Sequence, residues 1–509
     1  MYDNLDTVLD TLIETDAYKV SHVTMGEPGI ETVFSNLTAR GTRVDYITEG
    51  TVFFGLQALM YKLNTKWNEF FALNDDQLNQ VLSEYRHFVA RLMGTTSDQV
   101  SDEHFRILHG IGHLPLRIRA FKEGSVVPLR VPYFTIENTD PRVPWLTNYL
   151  ETTLSANLWQ PTTSATLSWA ARRMLDAGAK RSASVPEAVD FQGHDFSYRG
   201  MENDAAAAAS GAGHLLSFNG TDTLPAIRFV DRYYGEQGVD NGIIGMSVPA
   251  SEHSIMTAGG RDGEFEVFER LIDQHPSGIV SLVADSYDFW KVLQEFMPRL
   301  KDKITACERR VVLRPDSGVP ELILCGDPSA PEGSPERKGA VRILDEVFGS
   351  TVNDKGFKEL DPHIGLIYGD GITYDRAESI INNLMSQGYA STTVVFGFGS
   401  FTFQYQSRDT FMMAVKATWV QVEGVGRDIF KDPATDNGDK KSATGRLAVR
   451  RQMNGKPYLI EKATAEQEAD QVLELVFENG VFKRHQNFAD VRATLKLETE
   501  IMDRYLEGA

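Results

Sequence analysis

The stretch that most constrains this chain is Arg314-Pro315-Asp316-Ser317-Gly318, which follows directly on the apolar run Val311-Val312-Leu313. An apolar run that ends abruptly in an arginine, a carboxylate and a glycine reads as a buried strand whose C-terminal end handles an anion, a proton or a metal. The pattern recurs through the middle of the chain. Val189-Asp190-Phe191 leads into Gly193-His194-Asp195-Phe196, Leu215 to Phe218 into Asn219-Gly220-Thr221-Asp222, and Ile243 to Met246 into Ser247-Val248-Pro249. Ile279 to Val283 leads into Asp285-Ser286, Leu366 to Tyr368 into Gly369-Asp370-Gly371, and Val394 to Phe396 into Gly397-Phe398-Gly399. About seven strands with polar C-terminal ends are expected.

The intervening segments set the topology. Glu264 to His275 places Phe265, Val267, Phe268, Leu271 and Ile272 on one helical face. Asp375 to Gln387 does the same with Ala377, Ile380, Ile381, Leu384 and Met385, and Gly388 stops it. Apolar strands alternating with amphipathic helices imply parallel strands joined by right-handed crossovers. The expected class is α/β, an incomplete barrel of about seven parallel strands with its chemistry at the C-terminal strand ends.

A chain of 509 residues exceeds one ordinary core, so two domains are expected. We expect a mixed α+β domain over 1–165, the barrel-like catalytic domain over 166–405, and a C-terminal part over 406–509 that rejoins the first. The Pro/Gly/Ser-rich segment from Gly326 to Gly339 reads as a surface loop. The two cysteines, Cys307 and Cys325, suggest neither a disulfide scaffold nor a zinc site. With 71 acidic against 51 basic residues, a net charge of -20, a nucleic-acid partner is disfavoured and arginines at strand ends are reserved for a small anion. No apolar stretch approaches the roughly 20 residues needed to span a bilayer, and the acidic opening MYDNLDTVLDTLIETDAYK is unlike a leader, so a cytoplasmic protein is expected.

Several strand-end residues invite chemistry. His253, in Ser251-Glu252-His253-Ser254, is expected to donate a ring N–H to Asp285, leaving its other nitrogen as base or nucleophile. Asp316 and Asp370 suit a ribose diol or a magnesium ion, or simply a turn or cap. Gly397-Phe398-Gly399-Ser400 could cradle a phosphate on its backbone N–H groups. Arg314, Arg408 and Arg199 could clamp a phosphate, and Phe196 with Arg199 could stack on a planar heterocycle.

The stretches TDAYKVSH, ENTDPRVPWLTNYLETTL, GHDFSYRG, FNGTDT, SVPASEHS, DSYD, RPDSG, GDG and FKDP, in that order and over nearly the full length, closely resemble the nicotinamide phosphoribosyltransferase family. The resemblance implies a type II phosphoribosyltransferase fold and a homodimer with shared active sites. It implies formation of nicotinamide mononucleotide and pyrophosphate from nicotinamide and phosphoribosyl pyrophosphate, in NAD salvage, with Mg²⁺ as cofactor and ATP as a stimulating co-substrate. Carried over by position, Phe196 and the partner subunit's Tyr18 would sandwich the pyridine ring beside Arg199, and Asp222 would meet the carboxamide, with Ser247 in the same substrate site. His253 would take a phosphoryl group from ATP with support from Asp285. Arg314 and Asp316 would line the ribose and phosphate side with Gly369 and Asp370, and Gly399 and Ser400 would hold the 5′-phosphate. Arg40, Arg408, Lys416 and Lys431 would neutralise phosphate and pyrophosphate.

The chain departs from the vertebrate members at Gly365, where they carry an arginine, and at Gly399-Ser400-Phe401, where theirs continues in glycines. The first is expected to remove a cation from that corner. A nicotinate phosphoribosyltransferase, which would want a cation near the ring substituent in place of Asp222, and a non-catalytic binding protein on the same fold are the competing readings.

Overall fold

The computed structural model describes residues 4–235, 242–431 and 442–507. It divides into two compact units, one of residues 1–166, 230–241 and 407–509 and one of residues 167–229 and 242–406.

The second unit is built on six parallel strands: β1 (Gly193–Asp195), β2 (Gly220–Thr221), β3 (Gly278–Val283), β4 (Arg309–Arg314), β5 (Ile364–Ile372) and β6 (Val394–Phe398). They lie in the order β2-β1-β6-β5-β4-β3. The strand expected at Ile243 to Met246 is reduced to one isolated bridge, Met246 to Gly220 in β2, and a second bridge follows it, Ala250 to Ser281 in β3. Pro249 has no N–H to donate, so no ladder can run through the segment. The sheet is thus a curled half-barrel of six strands, and residues 246–250 form a thin seam touching both of its edges. Two further strands start later than expected. Val189 to Phe191 lies in a 3₁₀ turn opened by Pro186, and Leu215 to Phe218 forms the turn that follows the helix Asp204–His214.

Helices cover the outside of this sheet because each carries one apolar stripe. In Glu264–Gln274 the buried side chains are Val267, Phe268 and Ile272 with Glu264, and in Tyr374–Ser386 they are Ala377, Ile380, Ile381 and Leu384. Burying each large aliphatic side chain contributes about 1.5–3 kcal/mol. The Gly326 to Gly339 segment is braced internally by Arg337, whose guanidinium donates to the carbonyls of Pro328 and Ala330.

The first unit carries an antiparallel sheet in the order Val425–Asp428, Ala414–Val422, Ile30–Thr38, Pro132–Asn138, Leu116–Ala120, Glu474–Glu478, Val481–Phe482. A buried Glu123 ties its loops together, accepting from the backbone N–H groups of Gly55 and Gln57 and from the Tyr234 hydroxyl. Among the described residues no helix is long and apolar enough to cross a membrane.

Candidate active site

The C-terminal ends of the barrel strands surround a cavity of about 630 Å³. Its lining includes Phe196 and Arg199 beyond β1, Asp222 beyond β2, Arg314 and Asp316 at β4, Gly369 and Asp370 in β5, and Gly399 and Ser400 beyond β6. His253 enters from the segment that follows the seam.

One wall is aromatic. The backbone N–H of Phe196 donates to the Phe398 carbonyl at 2.9 Å, and its ring lies across Gly397. A Cβ at Gly397 would stand 2.3 Å from Phe196 Cδ2, so only glycine leaves the ring its place. The Arg314 guanidinium sits 5.8 Å from the centre of that ring. The His194 ring is tilted against Phe196, with their centres 4.7 Å apart.

Asp222 is held by two donors on one oxygen: His194 Nε2 reaches Oδ1 at 2.9 Å, and the Ser247 hydroxyl donates to the same atom. Burial pushes this carboxyl up, but the His194 and Ser247 hydrogen bonds, with the Arg314 charge, outweigh it and hold Asp222 below the usual aspartate range.

Beyond Arg314 stands a carboxylate and imidazole cluster. Asp285 Oδ2 accepts from the backbone N–H of Asp316 at 2.9 Å and from the Ser317 hydroxyl at 2.6 Å. Asp285 Oδ1 and Asp316 Oδ1 are buried without a hydrogen-bond partner. Burial raises the Asp316 carboxyl above its ordinary range; Arg314 opposes this and the neighbouring Asp285 charge adds to it. Arg314 Nε pairs with Asp316 Oδ2 at 3.3 Å.

The expected His253 to Asp285 hydrogen bond is not formed. His253 Nε2 stands 3.9 Å from Asp285 and 4.0 Å from Asp316, beyond hydrogen-bond reach, and the ring is fixed through Nδ1 by Ser286 Oγ at 3.1 Å. The turn after β4 instead holds the carboxylate by its other oxygen, Oδ2, through a backbone N–H and a hydroxyl, and leaves Oδ1 facing His253 across the gap. At Gly365 the guanidinium of Arg310, from the neighbouring strand, occupies the space a side chain would take: a Cβ there would lie 2.9 Å from Arg310 Nε.

Tyr18, Arg40, Arg408, Lys416 and Lys431 belong to the first unit. Lys416 and Tyr18 both neighbour Glu151. Lys416 Nζ lies 3.5 Å from Glu151, within electrostatic range of Arg40 and Arg408, and Arg408 and Glu151 both act on Tyr18. Burial, with Arg40 and Arg408 adding to it, lowers the Lys416 ammonium below the usual lysine range against the Glu151 charge. The Tyr18 ring is 59% exposed. Lys431 is joined through its backbone to Ser442.

Sequence reasoning assigned no role to His194, Ser286, Thr223 or Glu252. The signal for His194 was present: it stands two residues before Phe196, and strand alternation puts both on one face.

The model of the nicotinate phosphoribosyltransferase (NAPRTase) family matches residues 191–481. The chain is 45% identical over 504 residues to a nicotinamide phosphoribosyltransferase of Acinetobacter baylyi, covering 97% of this chain and 98% of that one. It is 35% identical over 492 residues to a nicotinamide phosphoribosyltransferase of Xanthomonas campestris, covering 95% and 97%. Among solved structures, human nicotinic acid phosphoribosyltransferase superposes with a TM-score of 0.54 at 15% identity, covering 96% of this chain and 94% of that one. Nicotinate-nucleotide pyrophosphorylase from Pyrococcus furiosus does so with a TM-score of 0.54 at 14% identity, covering 98% and 97%. At those identities the likeness speaks for the fold alone, that of the type II phosphoribosyltransferases. The chain belongs to the nicotinate phosphoribosyltransferase (NAPRTase) family and is a phosphoribosyltransferase.

Proposed function

We propose that the chain transfers the phosphoribosyl group of phosphoribosyl pyrophosphate to nicotinamide, giving nicotinamide mononucleotide and pyrophosphate for NAD salvage. The observation that carries the choice of nicotinamide is Asp222, held ionised on the wall of the cavity beside Phe196. An ionised aspartate accepts a hydrogen bond from an amide, whereas a carboxylate about 4 Å away would cost roughly 4 kcal/mol at an effective dielectric near 20. The pyridine ring then lies on Phe196, with Arg199 beside it.

Displacement at the anomeric carbon develops positive charge on the sugar and negative charge on the departing pyrophosphate. The carboxylates of Asp316 and Asp370 stabilise the first, and Arg314 faces the phosphates. Gly399 and Ser400 are assigned to the 5′-phosphate. Magnesium fits the carboxylate cluster through the two buried oxygens without partners on Asp285 and Asp316, completed by phosphate oxygens, since among the described residues no group of three or more ligand side chains forms a cage. The chemistry it supplies when bound is neutralisation of pyrophosphate charge.

The reading includes ATP coupling through His253. Its Nε2 makes no hydrogen bond among the described residues and is the nitrogen free to attack the terminal phosphorus of ATP, releasing ADP; water then cleaves the phosphohistidine to inorganic phosphate. The reading also includes a homodimer with a site shared by two copies, in which the exposed Tyr18 closes on the pyridine ring opposite Phe196 of the other copy and the cations Arg40, Arg408, Lys416 and Lys431 serve the phosphate and pyrophosphate side.

The test is product formation from phosphoribosyl pyrophosphate and magnesium with nicotinamide or nicotinate, each with and without ATP. Nicotinamide mononucleotide formed from the amide, with Asp222→Asn losing the preference over nicotinate, is expected. A wild-type preference for nicotinate would overturn the assignment.

A further inference from the structure

We propose that His194 is a positioning residue that sets the amide selectivity of Asp222. The inference rests on the reading of Asp222 just given. The Asp222 side chain is 42% exposed, so packing alone does not fix its rotamer, while the His194 side chain is only 12% exposed. An ionised carboxylate can only accept, so His194 Nε2 is the protonated nitrogen, and its N–H donates to Oδ1.

The backbone is shaped around this contact. In the parallel pairing of β1 with β2, His194 stands opposite Gly220. A Cβ at Gly220 would lie 2.7 Å from His194 Nδ1, so the ring passes over a position with no side chain to reach Asp222 two residues further on. The loop itself is tied to β1 by the Asp222 N–H, which donates to the Asp195 carbonyl at 3.0 Å.

Ser247, on the seam, supplies the second donor to the same Oδ1. Among the described residues no group donates to Oδ2. With one oxygen doubly occupied, the other is the single acceptor Asp222 presents to the cavity, and its direction is fixed by the imidazole. An amide N–H₂ meets it well. A carboxylate meets an anion whose neighbours hold it deprotonated, so Asp222 cannot turn donor to accommodate the acid. His194 thereby acts on discrimination without touching the atoms that react in phosphoribosyl transfer.

The experiment measures kcat and KM for nicotinamide and for nicotinate in wild type, His194→Phe, His194→Gln, Ser247→Ala and Asp222→Asn. His194→Phe keeps an aromatic ring and removes the donor. It is expected to raise KM for nicotinamide about tenfold, with a smaller change in kcat, and to cut the amide-over-acid ratio by at least as much. His194→Gln, whose side-chain N–H₂ reaches close to the position of Nε2, is expected to restore most of the ratio. Ser247→Ala, on an exposed side chain that leaves folding intact, is expected to lower it partly. If Asp222→Asn loses selectivity while His194→Phe keeps it, or if His194→Gln is no better than His194→Phe, the positioning role is overturned and the reading of Asp222 stands. If the wild type itself does not prefer the amide, that reading fails first.

Discussion

Replacing Gly397 by alanine adds one methyl group at the point where the aromatic wall is built. The new Cβ would stand 2.3 Å from Phe196 Cδ2, 2.8 Å from its Cε2 and 2.9 Å from the Gly369 Cα on the adjacent strand. Carbon atoms pack at about 3.5–4.0 Å, so the contact with the ring must open by more than 1 Å. Gly369 lies where the pairing of β5 with β6 is interrupted, between Tyr368 and Ile372, so the strain is shared between a shift of the Phe196 ring and a shift of this backbone. Overpacking of this kind costs about 1–3 kcal/mol of stability, and a displaced stacking partner costs about 0.5–1.5 kcal/mol of ring binding. The upper figure is roughly tenfold in affinity. We therefore expect Gly397→Ala to lower the melting temperature by several degrees and to raise KM for nicotinamide up to about tenfold, with KM for phosphoribosyl pyrophosphate little changed. Steady-state kinetics with each substrate varied in turn, alongside a thermal melt, checks this. Unchanged nicotinamide KM with an unchanged melting temperature would refute the idea that the ring depends on an empty Gly397.

His253→Ala is expected to abolish ATP stimulation and leave a slower basal transfer; product formation with and without ATP measures it, and undiminished stimulation would remove His253 from the coupling role. Stability is expected to fall between neutral pH and about pH 5. Burial pushes the imidazoles of His104 and His214 down to about 4. Their folded values lie below the unfolded value near 6.5, so the neutral ring contributes fully above about 6.5, and the contribution is lost progressively as pH falls toward 4, because only the unfolded chain takes up the proton. Each is worth up to about 3 kcal/mol over the whole window. Denaturant melts from pH 7.5 to 5 read this out, and a flat midpoint would contradict it.

The long strands at the barrel's centre were legible because burial on both faces leaves a plain apolar run that ends where solvent begins: Ile364 to Tyr368 is buried at every position. The two short strands were misplaced by a few residues because their register comes from sheet neighbours, and the apolar residues before them pack as helical turns. The 32-residue helix Glu151–Ser182 was not legible in the sequence. Its stretch from Gln160 to Ala171 is buried throughout, so Thr162, Thr163, Ser164, Thr166 and Ser168 blur the apolar period that marks a surface helix. At the site, residue types at strand ends pointed to the right places, but pairings did not follow. Which group Asp285 bonds is decided by a turn that brings the Asp316 N–H within 2.9 Å, and that depends on backbone geometry.

The antiparallel sheet of the first unit imposes a timetable on biosynthesis. Strand Ile30–Thr38 pairs on one side with Pro132–Asn138, which is made soon after it, and on the other with Ala414–Val422, where Asn36 meets Lys416 across 380 residues. At ribosomal speeds of about 5–20 residues per second, that edge waits roughly 20–80 s for its partner. Throughout the wait the strand has one open edge and carries Val33, Phe34 and Leu37, all buried in the finished protein, the kind of edge that invites pairing with another nascent chain. Yield on overexpression should therefore be governed by how this edge is shielded during synthesis more than by the stability of the completed enzyme.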